Sequence, residues 1–471
     1  MPWTRRARTA VLSAVLLLLL SVPPQALAQE DEEEARQLAG MFAEVFEFVL
    51  ENYVDESRLD PELLIEGALD GMFEALDDPY SSYIRPDEVP EVTDLTRGEF
   101  GGVGMYVAPH GEGGAEVISP IEGLPAHRAG VRAGDLIVAI DGESALEFAV
   151  SDIISRLRGA PGTSVSITFR RHGTVTFEVA IERAMIEVIT VKHALIDDFI
   201  GYLRISQFTR LTPERVTEAL SELDGAAGLI VDLRSNPGGL LSAVVQVADF
   251  FLSSGVIVST RSRVEAENQI HRASQNTTLV DAELPIVMLI DRGSASASEI
   301  LAAALGESGR AHLLGEQTYG KGSVQQVRHF DQRAVKVTTS HYLTPSGASL
   351  DAVGVTPHQE LAEPEPSEEE KASLKELRES GRLRAFVRRY PEPSAAQTET
   401  FIDELHQSGV ELSGRLLRRL VRDEVVRRMP APPVYDLHFD LVLQEAVRLL
   451  RQGLVPAHDA QQLLAPAAAA S

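Results

Sequence analysis

Leu284-Pro-Ile-Val-Met-Leu-Ile290 runs almost directly into Gly293-Ser-Ala-Ser-Ala-Ser-Glu299. The first stretch is short, apolar and unbroken, the pattern of a strand buried on both faces. The second is a turn of small residues opening onto a helix from about Ser296 to Leu305. The same order occurs upstream. Gly228-Leu-Ile-Val-Asp-Leu-Arg234 reads as a buried strand, Ser235-Asn-Pro-Gly-Gly239 as a turn, and Leu240 to Leu252 as a helix. Successive strand–turn–helix units predict an α/β fold: a parallel sheet with helices packed on it. In such sheets reactive groups collect at the carboxyl ends of the strands, where both turns fall.

The serine turn has two readings. Ser296 followed by Glu299 fits a helix capping box. The same geometry presents a hydroxyl outward, beside free N–H groups that can stabilise an oxyanion. Composition does not choose among Ser294, Ser296 and Ser298. A base is then needed. Of 43 basic residues only five are lysine, and one of these, Lys321, sits between glycines in Gly315-Glu-Gln-Thr-Tyr-Gly320-Lys321-Gly322-Ser323-Val324-Gln325. Arginine keeps its proton in proteins, whereas a buried lysine can lose it and serve as a base. If Lys321 begins a strand, residues 321, 323 and 325 share a face, so Gln325 can orient the amine.

Other chemistries fit less well. Gly315 to Lys321 matches most of a Walker loop, but Gly322 lacks the hydroxyl that would hold magnesium, and a strand follows instead of a helix. His312, His329 and His341 lie within or beside strand patterns, outside glycine-bounded turns. No histidine pair has zinc-motif spacing, so neither metal nor cofactor is expected.

The remaining chain sets the context. Arg5, Arg6 and Arg8, an apolar core from Val11 to Val22, and Ala26-Leu-Ala28 form an export signal over residues 1–28. The expected location is periplasmic or secreted, or the inner membrane if the signal stays as an anchor. There is no cysteine, and the net charge of −27 argues against nucleic-acid binding. Residues 29–97 read as an acidic lead-in followed by helices at 35–53 and 61–76. Residues 98–184 form a β-rich module of short strands: 103–107, 115–118, 135–140, 165–170 and 175–181, with one helix near 149–158. Residues 185–362 hold the α/β core. Residues 363–471 begin with a Pro/Glu linker to Glu370, continue as helices and end in an Ala-rich tail. There Leu416, Leu417, Leu420, Val421, Val425 and Val426 make an apolar stripe that suits packing, with a membrane-surface helix as the alternative.

These motifs together resemble the carboxyl-terminal processing proteases, tail-specific serine proteases with a PDZ domain. The match rests on the serine turn with Gly320-Lys-Gly-Ser-Val-Gln325, on Asp232-Leu-Arg-Ser-Asn-Pro-Gly-Gly239, and on Leu76-Asp-Asp-Pro-Tyr-Ser-Ser-Tyr83, where Tyr80 replaces the family histidine. The resemblance implies a crotonase-like core. It also implies a Ser296 nucleophile, a Lys321 base, Gln325 as its orienting partner, and oxyanion donors on Ala297 and on Gly238 or Gly239. Gly101-Gly-Val-Gly-Met105 resembles the PDZ carboxylate loop, so Gly101, Gly102, Val103, Gly104 and Met105 are the expected tail-binding residues. Arg158 resembles an arginine that couples ligand binding to the active site, or else serves as a helix-end cation. The implied partners are proteins with apolar C-terminal tails, an adaptor lipoprotein or scaffold, and further copies of the chain in a homo-oligomer. The rival expectation is a PDZ scaffold, or a latent protease that needs an adaptor.

Overall fold

The computed structural model describes residues 24–86, 88–89, 97–111, 113–121, 123–171, 175–364, 366–429, 432–453 and 455. Most of the expected export signal and the Ala-rich tail lie outside these residues. The chain divides into two compact units at Arg85/Pro86.

The first unit contains helices Pro24–Asn52 and Pro61–Glu74. The first begins well before the expected start at residue 35, so the acidic run is helical. Gln, Glu and Ala are good helix formers, and no Gly or Pro interrupts residues 25–39. The second is fixed by Asp60, whose carboxylate accepts the N–H groups of Glu62 and Leu63.

In the second unit the β-rich module is an antiparallel sheet in the order Met105–Pro109, Ala115–Pro120, Leu136–Ile140, Ser164–Arg171, Val175–Glu182. Val117, Ile137, Ile153, Ile167 and Phe169 fill its core. A short helix, Pro125–Arg128, adds to the one expected at Val150–Leu157. The first strand, expected at 103–107, starts only at Met105, after Gly104 at φ 76°. A separate strand, Glu99–Gly102, precedes it and pairs with Ala184–Glu187. Among the described residues, Met105–Pro109 is thereby an edge strand paired only with Ala115–Pro120.

The core sheet runs Val191–Ile196, Ile200–Ile205, Gly228–Asp232, Ile286–Ile290, His312–Gly315, Gln359–Glu360. The first pairing is antiparallel and the others are parallel. Leu229, Val231, Met288 and Ile290 face one apolar core with the helices Leu241–Phe251 and Ala297–Glu307. Ile230, Val287 and Leu289 face the other core, which is closed by the last helix, Leu441–Arg451. Burial on both faces is why these strands read as unbroken apolar runs. The C-terminal region is therefore not all peripheral, because its final helix completes the core.

A second sheet, not anticipated from sequence, orders Ser323–Phe330, Arg333–Leu343, Val256–Ser262 and Gln269–Arg272 antiparallel. Helices Glu368–Glu379, Arg382–Arg389, Ala395–Gln407 and Gly414–Val426 share a core of their own. Leu417, Leu420 and Val421 are buried in it, so the apolar stripe packs within the protein. The linker is shorter than expected, since Ser367 caps a helix that starts at Glu368. No helix among the described residues is long and apolar enough to cross a membrane.

Candidate active site

The serine turn follows the strand Ile286–Ile290 and is tied to the Asn-Pro-Gly-Gly turn. Asp291 Oδ1 accepts the N–H groups of Gly293, at 2.9 Å, and of Ser235, at 2.8 Å. The three serines then separate by geometry. Ser294 is fully buried and its hydroxyl donates to the Leu233 carbonyl at 2.9 Å. Ser298, equally buried, donates to the Asn236 carbonyl at 2.9 Å. Both hydroxyls thus hold the two turns together. Ser296 sits at the N-cap of helix Ala297–Glu307 with φ 55° and ψ −114°. A non-glycine residue at positive φ is strained, and such strain concentrates where a side chain must be presented in one direction.

The opposite wall is the Asn-Pro-Gly-Gly turn. Asn236 is fully buried; its Nδ2 donates to the Ile205 carbonyl and its Oδ1 accepts the Gly238 N–H at 2.9 Å. Gly238 has φ 103°, and a Cβ there would stand 2.8 Å from Ser296 Cβ and 2.9 Å from Ala297 N. Only glycine fits. The turn therefore brings Gly238 against Ser296 and Ala297, with the Gly238 N–H held by Asn236.

Lys321 lies in the loop before strand Ser323–Phe330, separated from it by Gly322. A register shift between Val324 and Gln325 breaks the alternation expected from sequence. The Gln325 amide donates to Ser323 Oγ at 2.9 Å and to Thr338 Oγ1 at 3.3 Å.

The serine turn and the lysine loop meet at a residue that sequence reasoning treated only as a cap. Glu299 is fully buried. Its Oε2 accepts the N–H groups of Ser296 and of Lys321, each at 2.8 Å. Its Oε1 accepts the Gly320 N–H at 2.7 Å and the Thr318 hydroxyl at 2.5 Å. The backbone nitrogens of Ser296 and Lys321 are thus no more than two hydrogen-bond lengths apart. The available signal was a carboxylate in the first turn of an otherwise apolar helix, which must find donors when buried.

A second buried carboxylate sets the start of the other turn. Asp232, fully buried, accepts from the Tyr202 hydroxyl at 2.7 Å, Arg204 at 3.1 Å and Arg234 at 2.6 Å. Burial pushes the Asp232 carboxyl up, but Arg234, Arg204 and the Tyr202 hydroxyl outweigh it and hold its pKa below the ordinary range. Arg234 also forms two bonds, of 2.9 and 2.7 Å, with Asp440, which caps the last helix.

In the β-rich module, Gly102, Val103, Gly104 and Met105 line a cavity of about 400 Å³ together with Arg158. Gly101 is not among its walls; its carbonyl accepts the Gly159 N–H at 3.1 Å. The Arg158 guanidinium stacks over Phe100 at 4.6 Å, with Nε buried and without an acceptor among the described residues. The cavity runs along the open edge of Met105–Pro109.

Comparison with known proteins follows this layout. Residues 199–361 match the model of peptidase family S41, residues 116–171 a PDZ domain, and residues 21–87 the "Activating protease CtpB N-terminal domain". A "Carboxy-terminal-processing protease" of Bartonella bacilliformis is 38% identical over 355 residues, covering 74% of this chain and 80% of the relative. The "Carboxy-terminal processing protease CtpA" of Bacillus subtilis is 31% identical over 352 residues, 74% of each chain. A "Carboxyl-terminal-processing protease" of Synechocystis is 35% identical over 306 residues, 63% of this chain and 71% of the relative.

Proposed function

Because the chain belongs to the carboxy-terminal-processing proteases of peptidase family S41 and is a serine-type peptidase with a PDZ domain, we propose that it is an exported endopeptidase with a Ser296–Lys321 dyad that works through an acyl-enzyme. The observation that carries this reading is the Glu299 clamp, which gathers the Ser296 and Lys321 backbones on one carboxylate oxygen.

In the proposed reaction the neutral Lys321 amine takes the proton of Ser296 Oγ as that oxygen attacks the scissile carbonyl. The negative charge on the carbonyl oxygen is met by the Ala297 N–H and a glycine N–H of the Asn-Pro-Gly-Gly turn. Collapse breaks the C–N bond, and Lys321 returns the proton to the leaving amine. Water then attacks the ester by the reverse sequence. A lysine ordinarily titrates near 10.4, so holding the base neutral near pH 7 costs about 1.4 kcal/mol for each pH unit between.

The PDZ groove supplies selection. A substrate's terminal carboxylate would take the loop N–H groups of Gly102 to Met105, and its tail would extend as a strand along Met105–Pro109. Export through residues 1–28 would place the enzyme in the periplasm or outside the cell. Exposed apolar side chains on Pro24–Asn52 support a homo-oligomer. A latent resting state that awaits an adaptor is a second reading. It is favoured by the Gly238 N–H, which reaches a substrate oxygen only after releasing Asn236.

The test compares mature protein with Ser296→Ala and Lys321→Ala on an unfolded substrate ending in an apolar tail, free or amidated. Both substitutions should abolish cleavage, and amidation should raise KM about tenfold, equivalent to about 1.4 kcal/mol of lost tail binding. Cleavage by either variant at the wild-type rate would remove the dyad.

A further inference from the structure

The four-helix C-terminal domain lies outside the three family matches, which end at residue 361. Two of its helices, Arg382–Arg389 and Ala395–Gln407, enclose a groove of about 470 Å³. The floor is aromatic: Phe386 and Phe401 stack at 4.1 Å with an interplanar angle of 3°. One wall is the helix face that presents Arg382, Phe386 and Arg389, at i, i+4 and i+7. Seven residues of helix place the two arginine Cα positions about 10 Å apart along the axis.

The charges are unusual for this molecule. Helix Arg382–Arg389 carries arginine at four of its eight positions and no acid. Among the described residues none of the four forms an ion pair; Arg382 donates to the Ser408 hydroxyl and Arg389 lies over Tyr390. On the neighbouring helix Arg415, Arg418, Arg419 and Arg422 each meet a carboxylate. In a chain of net charge −27, this arginine-rich helix has no acidic partner among the described residues, which leaves its positive charge uncompensated. Aromatic and arginine side chains around a desolvated pocket are the usual anchors of protein interfaces.

We propose that this groove docks an acidic amphipathic helix of another protein. Acids seven residues apart would pair with Arg382 and Arg389, and an aliphatic or aromatic side chain between them would enter over Phe386 and Phe401. Glu404, on the opposite wall, sets the orientation by repelling a partner that turns its acids that way. The docking does not depend on proteolysis.

The probe is a labelled helical peptide, blocked at both ends, with glutamates at i and i+7 and leucine and phenylalanine at i+3 and i+4. The mature wild type should bind it saturably and more weakly as salt rises. Phe386→Ala and the double variant Arg382→Glu/Arg389→Glu should each weaken binding at least about tenfold, or about 1.4 kcal/mol. Thermal unfolding of the double variant should match wild type, whereas Phe386→Ala, which also loses its stacking on Phe401, should unfold at a lower temperature. A peptide with lysines in place of the glutamates should bind the double variant and not the wild type. Unaltered binding by both variants, or no saturation of the wild type up to about 1 mM, a limit of about 4 kcal/mol, would overturn the proposal. So would binding to anionic phospholipid vesicles through the same arginines without binding to the peptide.

Discussion

Ser296 and Lys321 were legible as candidates because their surroundings are odd: small residues crowd the one, and glycines isolate a rare lysine at the other. Glu299 was not legible as their link. Its partners lie in a loop about 20 residues downstream, and no local pattern reports which backbone amides a buried carboxylate will meet. The separation of the three serines was equally hidden, since it depends on Leu233 and Asn236 carbonyls contributed by another turn. The clamp has a direct consequence. Glu299→Gln replaces an acceptor-only group with one that carries its own N–H donors, so at least one buried amide loses its partner. Each such loss costs about 1–3 kcal/mol. Glu299→Gln should therefore unfold at lower urea. In the fraction that stays folded, kcat should fall about 10- to 100-fold with KM little changed, because tail binding occurs in a different module. A loss confined to KM would show that Glu299 acts on substrate binding and leaves the dyad alone.

The strands at Gly228–Asp232 and Ile286–Ile290 could be read from sequence because burial on both sides makes them continuous apolar runs. The antiparallel sheet could not. Arg333–Leu343 mixes Lys, Thr, Ser and His with apolar residues, as a half-covered strand does, and its two-residue turn, Asp331-Gln332, lacks the glycine that usually marks a hairpin. Nor could the last helix be assigned to the core, since its amphipathic pattern says that it packs but not where. Leu443 is fully buried there against the sheet. Leu443→Ala should cost about 2–5 kcal/mol in equilibrium urea unfolding. An effect under about 0.5 kcal/mol, the range of surface changes, would mean the helix is not part of the cooperative core. The same helix begins at Asp440, held through Arg234 to Asp232. Lowered in the fold, the Asp232 carboxyl contributes stability that is complete above its unfolded pKa near 3.9 and is lost as pH falls through the folded value. Asp232→Asn should thus destabilise the protein by about 3–5 kcal/mol at pH 7. It should also flatten the fall of Tm below about pH 4, which differential scanning calorimetry would resolve. A wild-type acid limb retained in the variant would assign that transition to other carboxylates.

The long N-terminal helix raises the question of assembly. Leu38, Met41, Phe42, Val45 and Phe48 recur at helical spacing along Pro24–Asn52, and all are exposed, Phe48 at 65%. Water does not stabilise such a stripe; contiguous apolar patches on soluble proteins ordinarily mark contact surfaces. The simplest partner is the same stripe on a second copy, because a self-complementary face closes a symmetric dimer with no further component. Burying the five side chains would contribute about 1.5–3 kcal/mol each before the cost of association. That is enough to matter at micromolar concentration, where binding needs about 8 kcal/mol. Mature protein should therefore sediment as a dimer or larger species, and Phe42→Glu with Val45→Glu should convert it to monomer, since two buried charges per copy would have no partner. Cleavage of a short peptide by that monomer would then tell whether assembly serves the chemistry or only the capture of larger substrates. Unchanged sedimentation of the double variant would move the contact to another surface.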